Sequence, residues 1–244
     1  MTELANNPCR IPDDTAPGSI EALPYSPACQ DVLDRGEHAL IGVSTGNSYF
    51  TQTRLVAVFG WALRHFELVD VVYTDLHLDT MRIADGDTPQ KARSRANRAI
   101  TDARRRIHRA VEQLPDGAAI RVRPLSECAL LPGYRDVRKR LDDALITDPR
   151  LAAACDDHVR YWMGDRPDPA DEQDIARHEA SLAYLLAELP LLANTPETLD
   201  VSSSLCCYHA TMPVVNELRS LPEYWHPDQG HAVVRPRPDT SSQD

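Results

Sequence analysis

The sequence predicts an α/β protein with a largely parallel sheet and helices on both faces. Short runs rich in apolar and β-branched residues, typical of buried strands, recur along the chain, and segments with helical periodicity lie between them. Strands that alternate with helices build parallel sheets. The chain has 244 residues, of which 42% are hydrophobic. This is enough for one packed domain and excludes a disordered protein.

The predicted elements begin at residue 38. Five strands share short length and apolar character, and they are His38–Ser44, Leu68–Thr74, Ala118–Pro124, Val201–Tyr208 and His231–Arg235. Helical patterns cover Thr51–Phe66, about Thr88–Glu112, and most of Tyr134–Leu192 with breaks at Asp148-Pro149 and Gly164 to Pro169.

Both ends of the chain are predicted to be flexible tails, at residues 1–28 and 237–244, around a single domain at residues 29–236. The N-terminal segment is rich in Pro, Asn and Asp and lacks the basic start and apolar core of a secretory signal. No apolar run approaches the ~20 residues of a membrane-spanning helix. Six cysteines show no C-x-x-C pair, which indicates reduced thiols. We therefore expect a cytoplasmic protein.

Charge is distributed unevenly. The net charge is −11, yet the segment from Lys91 to Arg109 holds eight basic residues and one acidic residue. Such a stripe can bind a phosphate backbone locally while the acidic remainder repels indiscriminate binding. A solvated helix face is the alternative interpretation.

Gly42-Val43-Ser44-Thr45-Gly46 follows the first predicted strand and matches the G-x-S-x-G nucleophile elbow. A sharp turn exposes the serine hydroxyl, and amides at the start of the next helix can stabilise an oxyanion. The pattern also fits a glycine-rich turn with an ordinary serine. An α/β serine hydrolase using Asp75 or Asp79 and His209 is a further alternative, although that fold places several strands before its elbow.

The string from Arg35 to Phe50 (RGEHALIGVSTGNSYF) closely resembles the nucleophile region of the cyclodipeptide synthases, in the subgroup marked by Asn, Tyr and His. The resemblance covers about residues 35–234. It continues in the family's order through DVVYTDLHLD (70–79), IADG (83–86), the arginine-rich segment, PGYRDVR (132–138), YLLAELPL (184–191) and LCCYH (205–209).

The resemblance implies a Rossmann-like fold similar to the catalytic domain of class I tyrosyl- and tryptophanyl-tRNA synthetases, without their ATP-binding motifs. It also implies a monomer that uses two aminoacyl-tRNAs in a ping-pong scheme, with no metal or cofactor, to make a cyclic dipeptide (a 2,5-diketopiperazine). An aminoacyl ester is already activated, and capture on serine divides the reaction into separate acyl transfers. A non-catalytic tRNA-binding module is the non-enzymatic alternative, which the intact motif residues disfavour.

By this resemblance Ser44 is the nucleophile, and Tyr184 and Glu188 hold the α-ammonium of the first aminoacyl group. Their i, i+4 spacing places both on one helix face, and a carboxylate is the natural partner of an ammonium ion. Tyr134 matches a family tyrosine near the aminoacyl site.

Asn47 is expected to orient the nucleophile turn, and Tyr208 to position the serine and relay protons. His209 neighbours Tyr208 on a predicted strand, so the two cannot face one pocket without a bend. We expect His209 to support the nucleophile loop through a hydrogen bond or to be a core histidine. Thr211 departs from the family pattern, in which an aspartate follows the Tyr-His pair.

Two side-chain pockets follow from the resemblance. The first is small or aliphatic and predicts an apolar first amino acid; its residues are Leu40, Gly42, Val72, Leu125, Leu191 and Cys206. The second is more polar and is formed by Thr74, His158, Asp165 and Arg166. Our hypothesis is a polar or charged second amino acid, with glutamate recognised through His158 or Arg166.

The basic segment resembles the tRNA-binding patch of the family, and its expected phosphate ligands are Lys91, Arg95, Arg98, Arg104, Arg105, Arg106 and Arg109. Asp75, His77 and Asp79 alternate along the chain as metal ligands on a strand would. With no fourth ligand evident, we predict no metal.

Overall fold

The computed structural model describes residues 19–164 and 172–237. Its strands are β1 (Ile20–Pro24), β2 (His38–Val43), β3 (Leu68–Tyr73), β4 (Ile120–Pro124), β5 (Ser204–Tyr208) and β6 (Gln229–Pro236). They form one sheet in the order β1-β6-β5-β2-β3-β4. All neighbours are parallel except β1, which is antiparallel to β6. The predicted mostly parallel sheet is confirmed.

The helices lie between the strands as the sequence predicts. They are α1 (Pro27–Arg35), α2 (Gln52–His65), α3 (Leu78–Ala84), α4 (Pro89–Val111), α5 (Leu125–Cys128), α6 (Pro132–Thr147), α7 (Pro149–Met163), α8 (Glu172–Leu199) and α9 (Pro213–Leu218). Several begin with proline, whose missing N–H is not needed in the first turn of a helix. No helix in the described ranges is long and apolar enough to cross a membrane.

The two-residue period of the strands separates two apolar layers. Leu40 and Cys206 face a cluster that includes residues of α6, α7 and α8, whereas Ile41 and Cys207 face a cluster that includes residues of α2 and α4. Helices therefore cover both faces of the sheet, and consecutive residues on β5 point to opposite sides.

Described secondary structure begins before residue 29, where the sequence predicts the domain to start. Residues 20–28 were assigned to a flexible tail, but they form β1 and the start of α1, where Ser26 Oγ accepts a hydrogen bond from the Cys29 amide. Sequence patterns missed β1 because it is an edge strand ending in proline, and its partner β6 lies at the far end of the chain. The C-terminal boundary prediction falls mainly on residues 238–244, which lie outside the described residues.

The chain order creates a crevice above the middle of the sheet. From β2 the chain continues to β3 and β4 on one side, and it then returns to β5 and β6 on the other side. Helices that leave the neighbouring strands β2 and β5 therefore diverge at the carboxyl ends of those strands. Parallel α/β sheets bind their ligands at such a switch point.

Candidate active site

A cavity of about 310 Å³ lies at the carboxyl ends of β2 and β5. Ser44, Tyr184, Glu188 and Tyr208 all line it, although they are distant in sequence. The cavity is also lined by every residue predicted for the first pocket, namely Leu40, Gly42, Val72, Leu125, Leu191 and Cys206. The structure thus joins a hydroxyl, a carboxylate and an apolar recess in one chamber.

The turn that carries Ser44 differs from a nucleophile elbow. Residues 45–51 separate the serine from α2, and Thr51 rather than Ser44 caps that helix. The Thr45 amide donates to Thr74 Oγ1 over 3.0 Å. The elbow prediction, with helix-start amides stabilising an oxyanion beside the serine, is therefore wrong. Gly46 has φ +87°, a left-handed conformation that favours glycine and that the turn requires.

Tyr208 contacts the serine directly. The hydroxyl oxygens of Ser44 and Tyr208 are 2.8 Å apart and share a hydrogen bond. Tyr208 is the last residue of β5, so the parallel pairing of β2 with β5 brings the two together. Burial raises the pKa of the Tyr208 phenol, so the proton stays on the hydroxyl at neutral pH.

Tyr184 and Glu188 approach the same point from α8. The Tyr184 hydroxyl donates to Thr74 Oγ1 over 2.8 Å and lies near Ser44 and Glu188. Burial raises the pKa of Glu188 to about 7. A carboxylate in an apolar cavity, with no cationic partner among the described residues, is well suited to bind a substrate cation.

Asn47 and His209 meet behind the nucleophile turn. Asn47 Oδ1 accepts the Tyr49 amide over 2.8 Å, and Asn47 Nδ2 lies 3.1 Å from His209 Nε2. The amide nitrogen can only donate, so His209 Nε2 is an unprotonated acceptor. His209 lies in a bend just beyond β5, which lets Tyr208 face the cavity while His209 supports the turn.

Two residues that the sequence analysis missed complete this support. The Tyr49 ring stacks on His209 with centroids 4.1 Å apart, and the Arg54 guanidinium lies 4.3 Å from the Tyr49 centroid. Tyr49 stands inside the string that carries the family resemblance. Only the tertiary contact reveals its stacking on His209.

The comparisons with known proteins identify the family. The cyclodipeptide synthase family model matches residues 20–236. The cyclo(L-leucyl-L-phenylalanyl) synthase of Streptomyces noursei is 43% identical, over 85% of this chain and 87% of its own length. The cyclo(L-tyrosyl-L-tyrosyl) synthase of Mycobacterium tuberculosis is 38% identical, over 93% and 80%. This chain belongs to the cyclodipeptide synthase family.

Solved structures of this family share the fold. A crystal structure of cyclo(L-leucyl-L-phenylalanyl) synthase has a TM-score of 0.83 at 40% identity, covering 90% of this chain and 99% of that chain. A Mycobacterium tuberculosis structure, described as demonstrating that cyclodipeptide synthetases are related to type I tRNA synthetases, has a TM-score of 0.82 at 37% identity, covering 93% and 98%. The predicted relation to class I synthetases is confirmed. The protein is an enzyme, and the hydrolase and non-catalytic alternatives are wrong.

Tyr134 does not line the cavity of this cyclodipeptide synthase. It is buried, and its hydroxyl donates to the Ala187 carbonyl over 2.7 Å. Arg138, one turn further along α6, donates to the Leu186 carbonyl over 2.8 Å. That carbonyl has no helical donor because residue 190 is a proline. The sequence predicts Tyr134 as a substrate-binding residue near the aminoacyl site; the described structure instead places it off the cavity lining, where it stabilises α8 immediately before Glu188.

The second predicted pocket is only partly described. Thr74 and His158 line the cavity, whereas Asp165 and Arg166 lie outside the described residues. Burial lowers the pKa of His158 to about 4, and its Nδ1 accepts the Val214 amide over 3.4 Å. A neutral ring cannot supply the cation that the glutamate hypothesis requires of it. The remaining liners that the sequence analysis missed include the apolar residues Leu78, Met81, Val159, Trp162, Leu185, Leu192 and Met212.

The seven predicted cations all lie on α4 but not on one face. Lys91, Arg98 and Arg105 are seven residues apart and share one exposed side, because seven residues make nearly two helical turns. Arg109 extends this stripe by one turn. Arg104 projects roughly 100° away from it.

Lys91, Arg95 and Arg106 are partly engaged within the protein. Lys91 and Arg95 pair with Asp87 at 2.7 and 2.9 Å. Arg106 is half-buried, and its buried Nε has no hydrogen-bond partner within the described ranges. Arg98, Arg105 and Arg109 form the exposed stripe, and within it Arg105 also lies 3.8 Å from Asp102.

The residues Asp75, His77 and Asp79 do not lie on a strand. They fall between β3 and the first turn of α3, and Asp75 accepts hydrogen bonds from the amide and the hydroxyl of Ser126. No group of possible metal ligands occurs among the residues that the structure describes. Thr211 is exposed beyond β5 and lies near Tyr25.

Proposed function

We propose that this cyclodipeptide synthase transfers an aminoacyl group from one charged tRNA to Ser44 and completes a diketopiperazine with a second charged tRNA. The observation that carries the proposal is the Ser44 hydroxyl, which faces the cavity 2.8 Å from the Tyr208 hydroxyl and within reach of Tyr184. The hydroxyl and the ammonium-binding pair line the same cavity as the apolar recess that would hold the side chain.

In the first step Ser44 Oγ forms a bond to the acyl carbon, and the bond from that carbon to the ribose oxygen of the tRNA breaks. The Tyr208 hydroxyl, which hydrogen bonds to Ser44, takes up the serine proton and gives a proton to the departing ribose oxygen. The resulting aminoacyl ester preserves the activation of the original ester.

In the later steps two amide bonds form, while the Ser44 ester and the second tRNA ester break. Each α-ammonium gives up two protons and keeps one as the amide N–H; one of the two ends on the leaving oxygen, which is Ser44 Oγ for one amide bond and the ribose oxygen of the second tRNA for the other. Both tRNAs leave with free ribose hydroxyls. Glu188 holds the first α-ammonium as a carboxylate, and its raised pKa of about 7 allows it to take up a proton when the amine becomes a nucleophile.

Several finer assignments belong to this proposal. Asn47, Tyr208 and His209 support membership of the subgroup named after these residue types. The exposed stripe of α4 supports phosphate binding.

We further propose a single catalytic domain and a monomer, acting in the cytoplasm where charged tRNA is available. The apolar lining supports an apolar first amino acid, and a polar second one depends on Asp165 and Arg166.

A labelling experiment tests the proposal. The protein is incubated with tRNA charged with radiolabelled amino acids, and the attached label is located by peptide mass analysis. We expect label on Ser44 and loss of both label and diketopiperazine in Ser44→Ala. Ser48→Ala, an exposed serine of the same loop, is the matched control. Diketopiperazine formation without any label on Ser44 would contradict the covalent route.

A further inference from the structure

Thr74 connects the nucleophile turn with the helix that carries Tyr184 and Glu188. It directly follows β3, is 3% exposed, and its amide donates to the Val43 carbonyl, which continues the pairing of β2 with β3. Thr74 Oγ1 accepts one hydrogen bond from the Thr45 amide and another from the Tyr184 hydroxyl, at 3.0 and 2.8 Å. The Thr45 hydroxyl donates in return to the Thr74 carbonyl.

The direction of the hydrogen bond between Tyr184 and Thr74 has a chemical consequence. A phenol has one hydrogen, and an ammonium ion only donates hydrogen bonds. The Tyr184 oxygen can therefore accept from an ammonium only if its own hydrogen points elsewhere. The Glu188 carboxylate lies near Tyr184 and is a competing acceptor for that hydrogen. Thr74 Oγ1 offers the acceptor that leaves both Tyr184 and Glu188 free to receive the ammonium.

We propose that Thr74 is a positioning residue, which directs the hydroxyl hydrogen of Tyr184 away from the cavity so that Tyr184 accepts a hydrogen bond from the substrate α-ammonium. The inference rests on the proposed function, because it requires the aminoacyl group to lie against Tyr184 and Glu188. Thr74 then acts in binding the first aminoacyl group, whereas the sequence analysis placed it in the second side-chain pocket.

The test compares two acyl groups in single-turnover labelling of Ser44. One tRNA carries the amino acid found in the product, and the other carries the corresponding α-hydroxy acid, which has no ammonium. Thr74→Val keeps the shape and removes the acceptor. We expect aminoacyl labelling to slow about tenfold, as for loss of a hydrogen bond to a charged group, while hydroxyacyl labelling changes little. Thr74→Ser should restore the aminoacyl rate.

A coupling measurement separates positioning from packing. In a Tyr184→Phe background, Thr74→Val should add no further loss, because its effect passes through the Tyr184 hydroxyl. Thr198→Val removes another buried threonine hydroxyl, which donates to the Pro190 carbonyl, and serves as the control that should leave the ratio of the two rates unchanged. If Thr74→Val does not fold, Thr74→Ala takes its place, and the same ratio of aminoacyl to hydroxyacyl labelling rates is measured.

The outcomes distinguish the inference from the proposed function. Equal slowing of both acyl groups in the Thr74 variants, or no slowing of either, would overturn the role of Thr74 while Ser44 still became labelled. Absence of label on wild-type Ser44 would overturn the proposed function itself.

Discussion

Asn47 Nδ2 donates a hydrogen bond to His209 Nε2 over 3.1 Å, and this contact joins the nucleophile turn to the end of β5. Because Asn47 also accepts the Tyr49 amide, its side chain closes the turn around Ser44. The stacked Tyr49 ring fixes the plane of His209. The orientation of the serine therefore depends on a neutral histidine that does not itself line the cavity.

We expect His209→Ala to lower kcat about tenfold with little change in KM, because the turn loses one hydrogen bond and its stacking partner without losing any substrate contact. Diketopiperazine formation at varied concentrations of charged tRNA measures both constants. His65→Ala, an exposed histidine at the end of α2, is the control. A change confined to KM would contradict a role in orienting the turn.

The same histidine predicts a pH dependence of stability. Burial lowers the pKa of His209, so folding favours the neutral ring. Its contribution is fully present above the ordinary pKa of about 6.5 and is lost as the pH falls below it. We expect the loss of Tm between pH 7 and pH 5 to be smaller in His209→Ala than in the wild type. An equal loss in both proteins would show that His209 protonation does not contribute.

The contribution of Glu188 to stability has the opposite pH dependence. Burial raises its pKa to about 7, so the folded state favours the protonated acid. Its contribution to stability is present below the unfolded pKa of about 4.3 and is lost as the pH rises through about 7. We expect Glu188→Gln to have a higher Tm than the wild type at pH 8 and a similar Tm at pH 4.5. A lower Tm than the wild type at pH 8 would contradict the raised pKa.

Salt dependence tests the exposed stripe of α4. Arg98→Ala and Arg105→Ala should each weaken tRNA binding and reduce the slope of log K against log salt by about 1, because each loses one phosphate contact. Fluorescence anisotropy with labelled tRNA measures the slope. Lys139→Ala is the matched control, since Lys139 is an exposed cation on α6 that pairs with Asp143 at 2.6 Å. Unchanged slopes in both arginine variants would place the tRNA elsewhere.

Gly133 marks a close approach between α6 and the end of α8. A Cβ atom there would lie 2.1 Å from the Glu197 carbonyl oxygen, which belongs to the backbone and cannot turn away. We expect Gly133→Ala to lower the free energy of unfolding by about 3 kcal/mol, as in overpacked cores. Urea denaturation measures the change. Pro132→Ala, at the neighbouring exposed position, should cost much less, and equal effects would contradict the steric explanation.

Local sequence patterns and family motifs predict most elements and the composition of the active site. Buried parallel strands such as β2 and β3 are continuous apolar runs, and the basic helix α4 has buried alanines at helical spacing, so local periodicity predicts both. Ser44, Tyr184, Glu188 and Tyr208 were predicted from the family motifs. The described structure places all four around one cavity.

Only the tertiary structure decided how these groups act on one another. The edge strand β1 depends on pairing with β6, and the extended turn after Ser44 depends on Thr74 and His209. The neutral state of His158 and the raised pKa of Glu188 come from burial by elements distant in sequence. Pairing, hydrogen-bond direction and desolvation are properties of the surroundings of a residue, and a local pattern does not contain those surroundings.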